Sequence, residues 1–351
     1  MFGFNKSSID WFNSFLSERS QVVNIGSVIS KPVQLNLGSP QGSILSPTIF
    51  LILLADIELY CPGATLCSYA DDTSCTVAVN KIEELQEECE SQASKLLEYM
   101  AINRLACNDD KTHILVIKQG QNSTEEITFK IGESEIKESP DEKLLGAWIK
   151  NDLSWSSHLK KLEDELSYRL FKLRRIEQIL PKSLLKKVAD GIFCSVLRYE
   201  LAIFCPIRTL ENDPNPTCIE GIKVIYHDVL RLLCNSKRSN HRPIESMLEQ
   251  LGWLSLNQLS AEIRLFEVWK GLNKENYCMN ELFEKAESNR GITRSAGLNK
   301  LKTVFRSKIR ENSFAYPSVQ LWNSAPAEIT TENNESRVRK AIRNYVKSLP
   351  I

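Results

Sequence analysis

No stretch of this chain approaches the eighteen or so consecutive apolar residues that a bilayer-spanning helix demands. The longest apolar run, Ile49 to Ala55, falls far short, so no transmembrane helix and no membrane partner are predicted. The N-terminus does not show a basic segment followed by an apolar one, the pattern of a secretory signal. Histidine is scarce, at four residues, and none of the ten cysteines forms a C-x-x-C pair. Zinc sites of the usual spacing are therefore not expected. Cys67, Cys75, Cys194 and Cys205 lie inside apolar stretches. They are expected to be buried, reduced thiols of an intracellular protein, cytoplasmic or nuclear. Internal repeats and low-complexity tracts are also lacking.

An excess of charge is missing as well: 44 Lys and Arg balance 44 Asp and Glu. The distribution is uneven. Residues 1–150 hold 12 basic and 21 acidic side chains, whereas residues 151–351 hold 32 and 23. The acidic helix around Glu83, Glu84, Glu87, Glu88 and Glu90 reads as a solvated face, and the second half as the one that meets nucleic acid. At 351 residues, 42% apolar and 25% charged, the chain is long enough for two domains with ordinary globular cores.

Among what is present, Tyr69-Ala70-Asp71-Asp72 stands out. Apolar strands flank it, so it reads as the tip of a β-hairpin. Turns usually take Asn-Gly or Asp-Gly. Paired aspartates repel each other and suggest a compensating cation. Mg²⁺ suits them, since it binds one or two carboxylates plus substrate phosphates. A solvated Asp-Asp turn is the bland alternative. Upstream, Gly38-Ser-Pro40-Gln41-Gly42-Ser-Ile-Leu-Ser46-Pro47 forms a tight loop. Ser46 is expected as N-cap and Pro47 as first helical residue. The following helix, to about residue 59, is apolar nearly all round and is expected to be buried.

Together these residues resemble the palm of reverse transcriptases, specifically those of non-LTR (LINE-type) retrotransposons. Asn103 to Thr112 looks like the next palm motif, Lys143 to Ile149 like the strand that grips the primer, and Asp152 to His158 like the entry to the thumb. Looser similarity continues through Leu251–Leu254 and Leu321–Pro326. The resemblance implies a partial polymerase palm in residues 1–150, an antiparallel sheet with helices on one face. An all-α thumb-like region would follow at 151–210 and a helical C-terminal region at 217–351, giving an α+β chain. The family's first palm motif, F/Y-x-D-x-x-x-A-F-D, has no counterpart here, nor do the fingers. The chain is therefore expected to be a truncated and inactive member with exposed apolar surface.

By motif match, Asp71 would be the principal carboxylate ligand of catalytic Mg²⁺, two ions in the complete enzyme, and Asp72 would support it. Tyr69 and Ala70 would lie against the primer end. Pro40, Gln41 and Gly42 would line the nascent base pair, and Gly146 and Trp148 would position the primer. Lys111 is either the general acid for pyrophosphate or a surface lysine beside Asp109 and Asp110. RNA template, DNA primer and dNTP are the implied partners.

In the second half, Leu159, Leu162, Leu166, Leu170, Leu173, Ile176 and Ile179 recur every three or four residues and predict an amphipathic helix over about 156–180. Its other faces carry Lys160, Lys161, Arg169, Lys172, Arg174 and Arg175. These either track the duplex or form i,i+4 ion pairs such as Lys161–Glu165. Asn235–Arg242 and Arg290–Arg310 are two further basic stretches, RNA-binding loops or plain connections. A non-catalytic nucleic-acid-binding protein is the alternative function. An unrelated domain with a fortuitous Asp-Asp turn is the third reading.

Overall fold

The computed structural model describes residues 3–118, 126–205, 219–275, 277–279, 282–283, 300–302 and 313–350. Most of the basic stretch at 290–310 lies outside these residues, as does Asn212–Pro216, whose two prolines suggest a break in the helical half. The chain divides into two compact units, residues 1–140 and 141–351. Strands cluster in the first and helices dominate the second, an α+β chain with a helical C-terminal region.

Unit 1 opens with α1 (Lys6–Leu16), capped by Asn5, whose side chain accepts from the Ser8 amide at 2.8 Å. Two nested antiparallel pairs follow. β1 (Arg19–Gln21) pairs β4 (Val33–Leu35), and β2 (Asn24–Ile25) pairs β3 (Val28–Ile29). Next come α2 (Ser46–Leu53), the hairpin β5 (Thr65–Tyr69) and β6 (Asp72–Thr76), and α3 (Leu85–Ile102). Finally β9 (Ser134–Ser139) stands between β7 (Ile114–Leu115), which runs parallel to it, and β8 (Thr128–Ile131), which runs antiparallel. Among the described residues these strands form separate small sheets rather than one continuous palm sheet.

α3 closes the open edge of β8 with side chains. Gln86 Nε2 donates to Thr128 O at 3.1 Å, and Glu90 Oε1 accepts from the Lys130 amide at 2.8 Å. Those backbone groups would otherwise be an unpaired strand edge. The bond from Lys130, then that from Gln86, lowers the Glu90 pKa.

Unit 1 has a small core. Six described apolar side chains are buried: Leu54, Ile57, Cys61, Tyr99, Val116 and Phe129. The helix expected to be buried over 46–59 is not. α2 ends at Leu53 and buries none of its residues, with Leu51 and Leu53 exposed. A helix apolar on every side needs partners on every side, and here Phe50 and Leu54 pack only onto the Tyr99 cluster. Ser46 is not the N-cap either. Its Oγ donates to Pro40 O at 2.6 Å and so closes the preceding loop. Cys67, expected inside, is exposed, and Cys75 is half-buried, because of β5 only Leu66 turns toward the core.

Unit 2 begins with a hairpin, β10 (Asp141–Leu144) and β11 (Ala147–Lys150), where the sequence suggests one strand over 143–149. Leu145 and Gly146 both have positive φ, at 49° and 107°, the signature of a type I′ turn. The helices are α4 (Ser156–Ile176), α5 (Lys182–Ala189), α6 (Ser195–Arg198), α7 (Leu201–Phe204), α8 (Glu220–Leu233), α9 (Ile244–Leu251), α10 (Leu256–Asn273), α11 (Ala315–Ser324), α12 (Ala327–Thr330) and α13 (Glu335–Val346). α4 buries Leu159, Leu162, Leu166, Leu170 and Leu173, as its periodicity predicts. It ends before Ile179, which is 77% exposed. α10 starts in a reciprocal capping box between Ser255 and Gln258. One core runs from Leu159 to Leu349.

Inside that core sits Arg264, with no carboxylate beside it. Its Nη1 donates to Phe314 O at 2.8 Å and its Nη2 to Cys205 O at 3.2 Å. Burial lowers its pKa to about 10. The guanidinium spends its donors on carbonyls at the end of α7 and the start of α11, so it ties both to α10.

Candidate active site and nucleic-acid interface

Tyr69 pairs directly with Asp72, leaving Ala70 and Asp71 as a two-residue turn. Ala70 has φ +54°, and Asp71 is not among the residues with positive φ. Positive φ at the first central position alone is the type II′ pattern, which normally takes Gly. A side chain held there costs about 1–2 kcal/mol. The chain thus bears local strain at a turn that presents two carboxylates to solvent. Asp71, Asp72 and Tyr69 are all exposed. Across the strands, Ser68 Oγ and Thr73 Oγ1 lie 3.0 Å apart.

The Pro40–Gln41–Gly42 loop is held from both ends. Gly38 and Gly42 adopt φ +74° and +81°, a conformation that suits glycine. Arg19 Nε donates to Leu16 O, the last residue of α1, at 2.9 Å, and its Nη2 reaches Gly38 O and Leu37 O. Ser46 holds the far end through Pro40 O. α2 and the hairpin share one support: Phe50 and Leu66 both pack on the Leu54–Ile57–Tyr99 cluster. Among the described residues, no hydrogen bond or ion pair joins Lys111 to either aspartate. Lys111 is exposed in a short 3-10 turn. No group of three or more His, Cys, Asp or Glu among the described residues converges so as to hold a metal ion.

At the β10–β11 hairpin, Tyr199 Oη donates to Leu145 O, and a Cβ on Gly146 would meet Tyr199 Cε1 at 2.8 Å. Trp148 is half-buried, with Lys161 Nζ 2.7 Å from its ring centroid. Its amide donates to His158 Nδ1 at 3.3 Å.

Residues 1–149 match the family model of reverse transcriptase (RNA-dependent DNA polymerase). No curated protein and no solved structure matches the chain. The matched segment contains the Gly-rich loop, the Asp71–Asp72 hairpin, Lys111 and the Gly146–Trp148 turn. Reverse transcriptases as a family work with a divalent metal, a nucleic-acid template and dNTP. No described helix is long and apolar enough to cross a membrane.

Beyond the matched segment, the six basic residues of α4 have different surroundings. Arg169 is engaged within the protein, pairing with Glu165 at 2.6 Å and donating to Ile192 O. Lys161 lies over Trp148 and 3.5 Å from Asp141, so the i,i+4 pair with Glu165 is not made. Arg174 reaches Asp228 at 3.4 Å. Lys160, Lys172 and Arg175 have no carboxylate partner among the described residues. Lys172 sits over Tyr168 and Arg175 over Phe171, on rings that are themselves exposed. Arg19, Tyr99 and Tyr199, which hold the loop, the shared support and the hairpin, carry no motif. Their partners Gly38, Leu53 and Leu145 lie far along the chain, where sequence spacing gives no signal.

Proposed function

We propose that this chain handles an RNA template and a DNA primer in the manner of an RNA-directed DNA polymerase of non-LTR retrotransposon type. The observation that carries this reading is the strained Ala70–Asp71 turn. It presents adjacent carboxylates within a segment that matches reverse transcriptases in general. The donor set suits Mg²⁺: two exposed carboxylates offer hard oxygen ligands and leave room for substrate phosphates. Asp71 would be the principal ligand of such an ion and Asp72 its support, and the ion would supply acidification of the primer 3′-hydroxyl and charge neutralisation at pyrophosphate. Tyr69 and Ala70 lie against the primer end. Pro40, Gln41 and Gly42 form the floor of the nascent pair on backbone that Arg19 and Ser46 fix. Because Lys161 covers the Trp148 ring, contact with the primer falls to the Leu145–Gly146 turn. Lys111, solvent-facing and unpaired with the aspartates, is free to donate a proton to pyrophosphate. Lys160, Lys172 and Arg175 are the α4 cations left for the duplex.

A second reading is a non-catalytic nucleic-acid-binding protein. It is favoured by the lack of a third convergent ligand beside Asp71 and Asp72 among the described residues. Two ions clamping both attacking and leaving oxygens need more ligands than this pair supplies.

RNA-templated primer extension by the full chain, with and without Mg²⁺, separates the two. Extension that Asp71→Ala abolishes establishes the polymerase. Salt-sensitive binding of template–primer without extension establishes the second reading. Absence of any binding sinks both.

A further inference from the structure

Three arginines from three segments of unit 2 share one carboxylate. Asp228 on α8 accepts from Arg231 Nη1 at 3.1 Å. It accepts from Arg238 Nε at 3.1 Å and Nη2 at 2.8 Å in a two-pronged grip. Arg174 Nη2, near the end of α4, approaches at 3.4 Å. The Asp228 side chain is 15% exposed, against 56% for Arg174 and 67% for Arg238. One negative charge against three permanent positive ones leaves two uncompensated. A single arginine would satisfy the carboxylate. The other two add like-charge repulsion, which an anion from outside would relieve. Among the described residues, Arg238 Nη1 and the Nε and Nη1 of Arg174 have no acceptor.

The surroundings keep the same sign. Segment 235–242 carries Lys237, Arg238 and Arg242 and no carboxylate. Arg242 bonds to neutral partners, Ser246 Oγ at 3.0 Å and Gln250 Oε1 at 2.6 Å. Glu177, the nearest acid after Arg175 on that chain segment, is paired with Lys182 at 2.6 Å. Three residues before Arg174, and so adjacent to it on the helix surface, lies Phe171, 53% exposed and covered by Arg175. Tyr168 and Lys172 repeat the arrangement one turn earlier.

We infer that the Asp228-centred cluster of Arg174, Arg231 and Arg238 is a phosphate-backbone site for single-stranded nucleic acid, with Phe171 and Tyr168 as stacking surfaces for its bases. It lies entirely outside the segment that matches reverse transcriptase, and it rests on the reading of this chain as one that handles nucleic acid. Guanidinium forks fit phosphate oxygens in two-pronged geometry. Exposed aromatics beside such cations are how sequence-independent single-strand binding is built. Asp228 fixes the positions of the guanidiniums before the strand arrives.

The test uses the full chain and fluorescence anisotropy with a labelled single-stranded RNA of about 20 nucleotides, long enough for several phosphate contacts. The same RNA in an RNA–DNA hybrid serves as the second probe, and both are titrated at several salt concentrations. Arg174→Ala/Arg238→Ala should weaken single-strand binding about tenfold or more. It should also flatten the dependence of log affinity on log salt by about 1.4, the share of two phosphate contacts. Asp228→Asn adds a positive charge, so a merely electrostatic surface would bind more tightly; a built site binds more weakly. Far-UV circular dichroism checks folding. Should the double variant not fold, Arg174→Lys/Arg238→Lys keeps the charge, loses the forks and should still bind more weakly. Unchanged affinity and slope in a folded double variant, with wild type binding normally, overturns the cluster alone. A change confined to the hybrid overturns the single-strand assignment. Wild type that binds neither probe overturns the cluster and the nucleic-acid reading together.

Discussion

Tyr99 Oη lies 2.7 Å from Leu53 O and 2.7 Å from Asp56 Oδ1, so one phenol on α3 holds the end of α2. Burial, then the Asp56 hydrogen bond, raises its pKa and keeps the proton in place. The same ring sits in the cluster that supports both α2 and the carboxylate hairpin. Tyr99→Phe keeps the ring and strands the Leu53 carbonyl. The expected cost is about 1–3 kcal/mol of unit 1 stability. A lower urea midpoint with an unchanged slope is the measurement; an unchanged midpoint would refute the role.

Arg264 is expected to be among the least replaceable side chains of unit 2. Arg264→Met removes the guanidinium bonds to the Cys205 and Phe314 carbonyls in a buried core and leaves the Ser260 and Ser318 hydroxyls to donate to them, at a cost of about 1–3 kcal/mol. Arg264→Lys should recover only a part, because an ammonium cannot span both carbonyls as the fork does. Thermal melts of the two variants against wild type rank them, and equal stability of all three would contradict the account.

Gly146 combines φ +107° with a Tyr199 ring 2.8 Å from where a Cβ would stand. Gly146→Ala should therefore displace Tyr199 and destabilise the β10–β11 turn by roughly 1–3 kcal/mol. Exchange protection of the Trp148 amide, which His158 accepts, reports the loss directly. Protection equal to wild type would rule out the coupling.

Acid should weaken unit 2 through its buried histidines. Burial lowers the His227 pKa from 6.5 to about 4, with Lys223 and Arg231 adding to the shift, and burial lowers that of His158 too. A lowered folded-state pKa means the unfolded chain takes up the proton first. Stability is thus full above 6.5, falls as pH drops below it, and finishes falling near the folded value. Asp152, at about 2 through Lys150 and Ser154, stays charged throughout this window. Denaturation midpoints between pH 7 and 4 should fall in wild type and fall less in His227→Gln. Parallel curves would exclude His227.

The elements with a local period were legible in the sequence. The leucine stripe of α4 and the Tyr69–Asp72 hairpin both announce themselves over a few residues. What was hidden depends on distant partners. Nothing near Arg264 foretells that Phe314 and Cys205 will supply its acceptors, and nothing near Arg19 foretells Gly38. Charge alone also misleads. Arg169 and Lys161 look like their neighbours on a helical wheel, yet Ile192, Glu165, Trp148 and Asp141 engage them. The burial of α2 was overestimated because an apolar sequence states what a helix needs, whereas the surrounding unit decides what it receives.

The unequal cores make heat capacity, rather than a melting temperature, the informative thermal property of this chain. Unfolding unit 2 exposes the large cluster from Leu159 to Leu349, whereas unit 1 releases six buried apolar side chains. Heat capacity change follows apolar exposure. Calorimetry should therefore resolve a broad, shallow event from unit 1 beside a sharp one from unit 2, and a single two-state fit would describe neither.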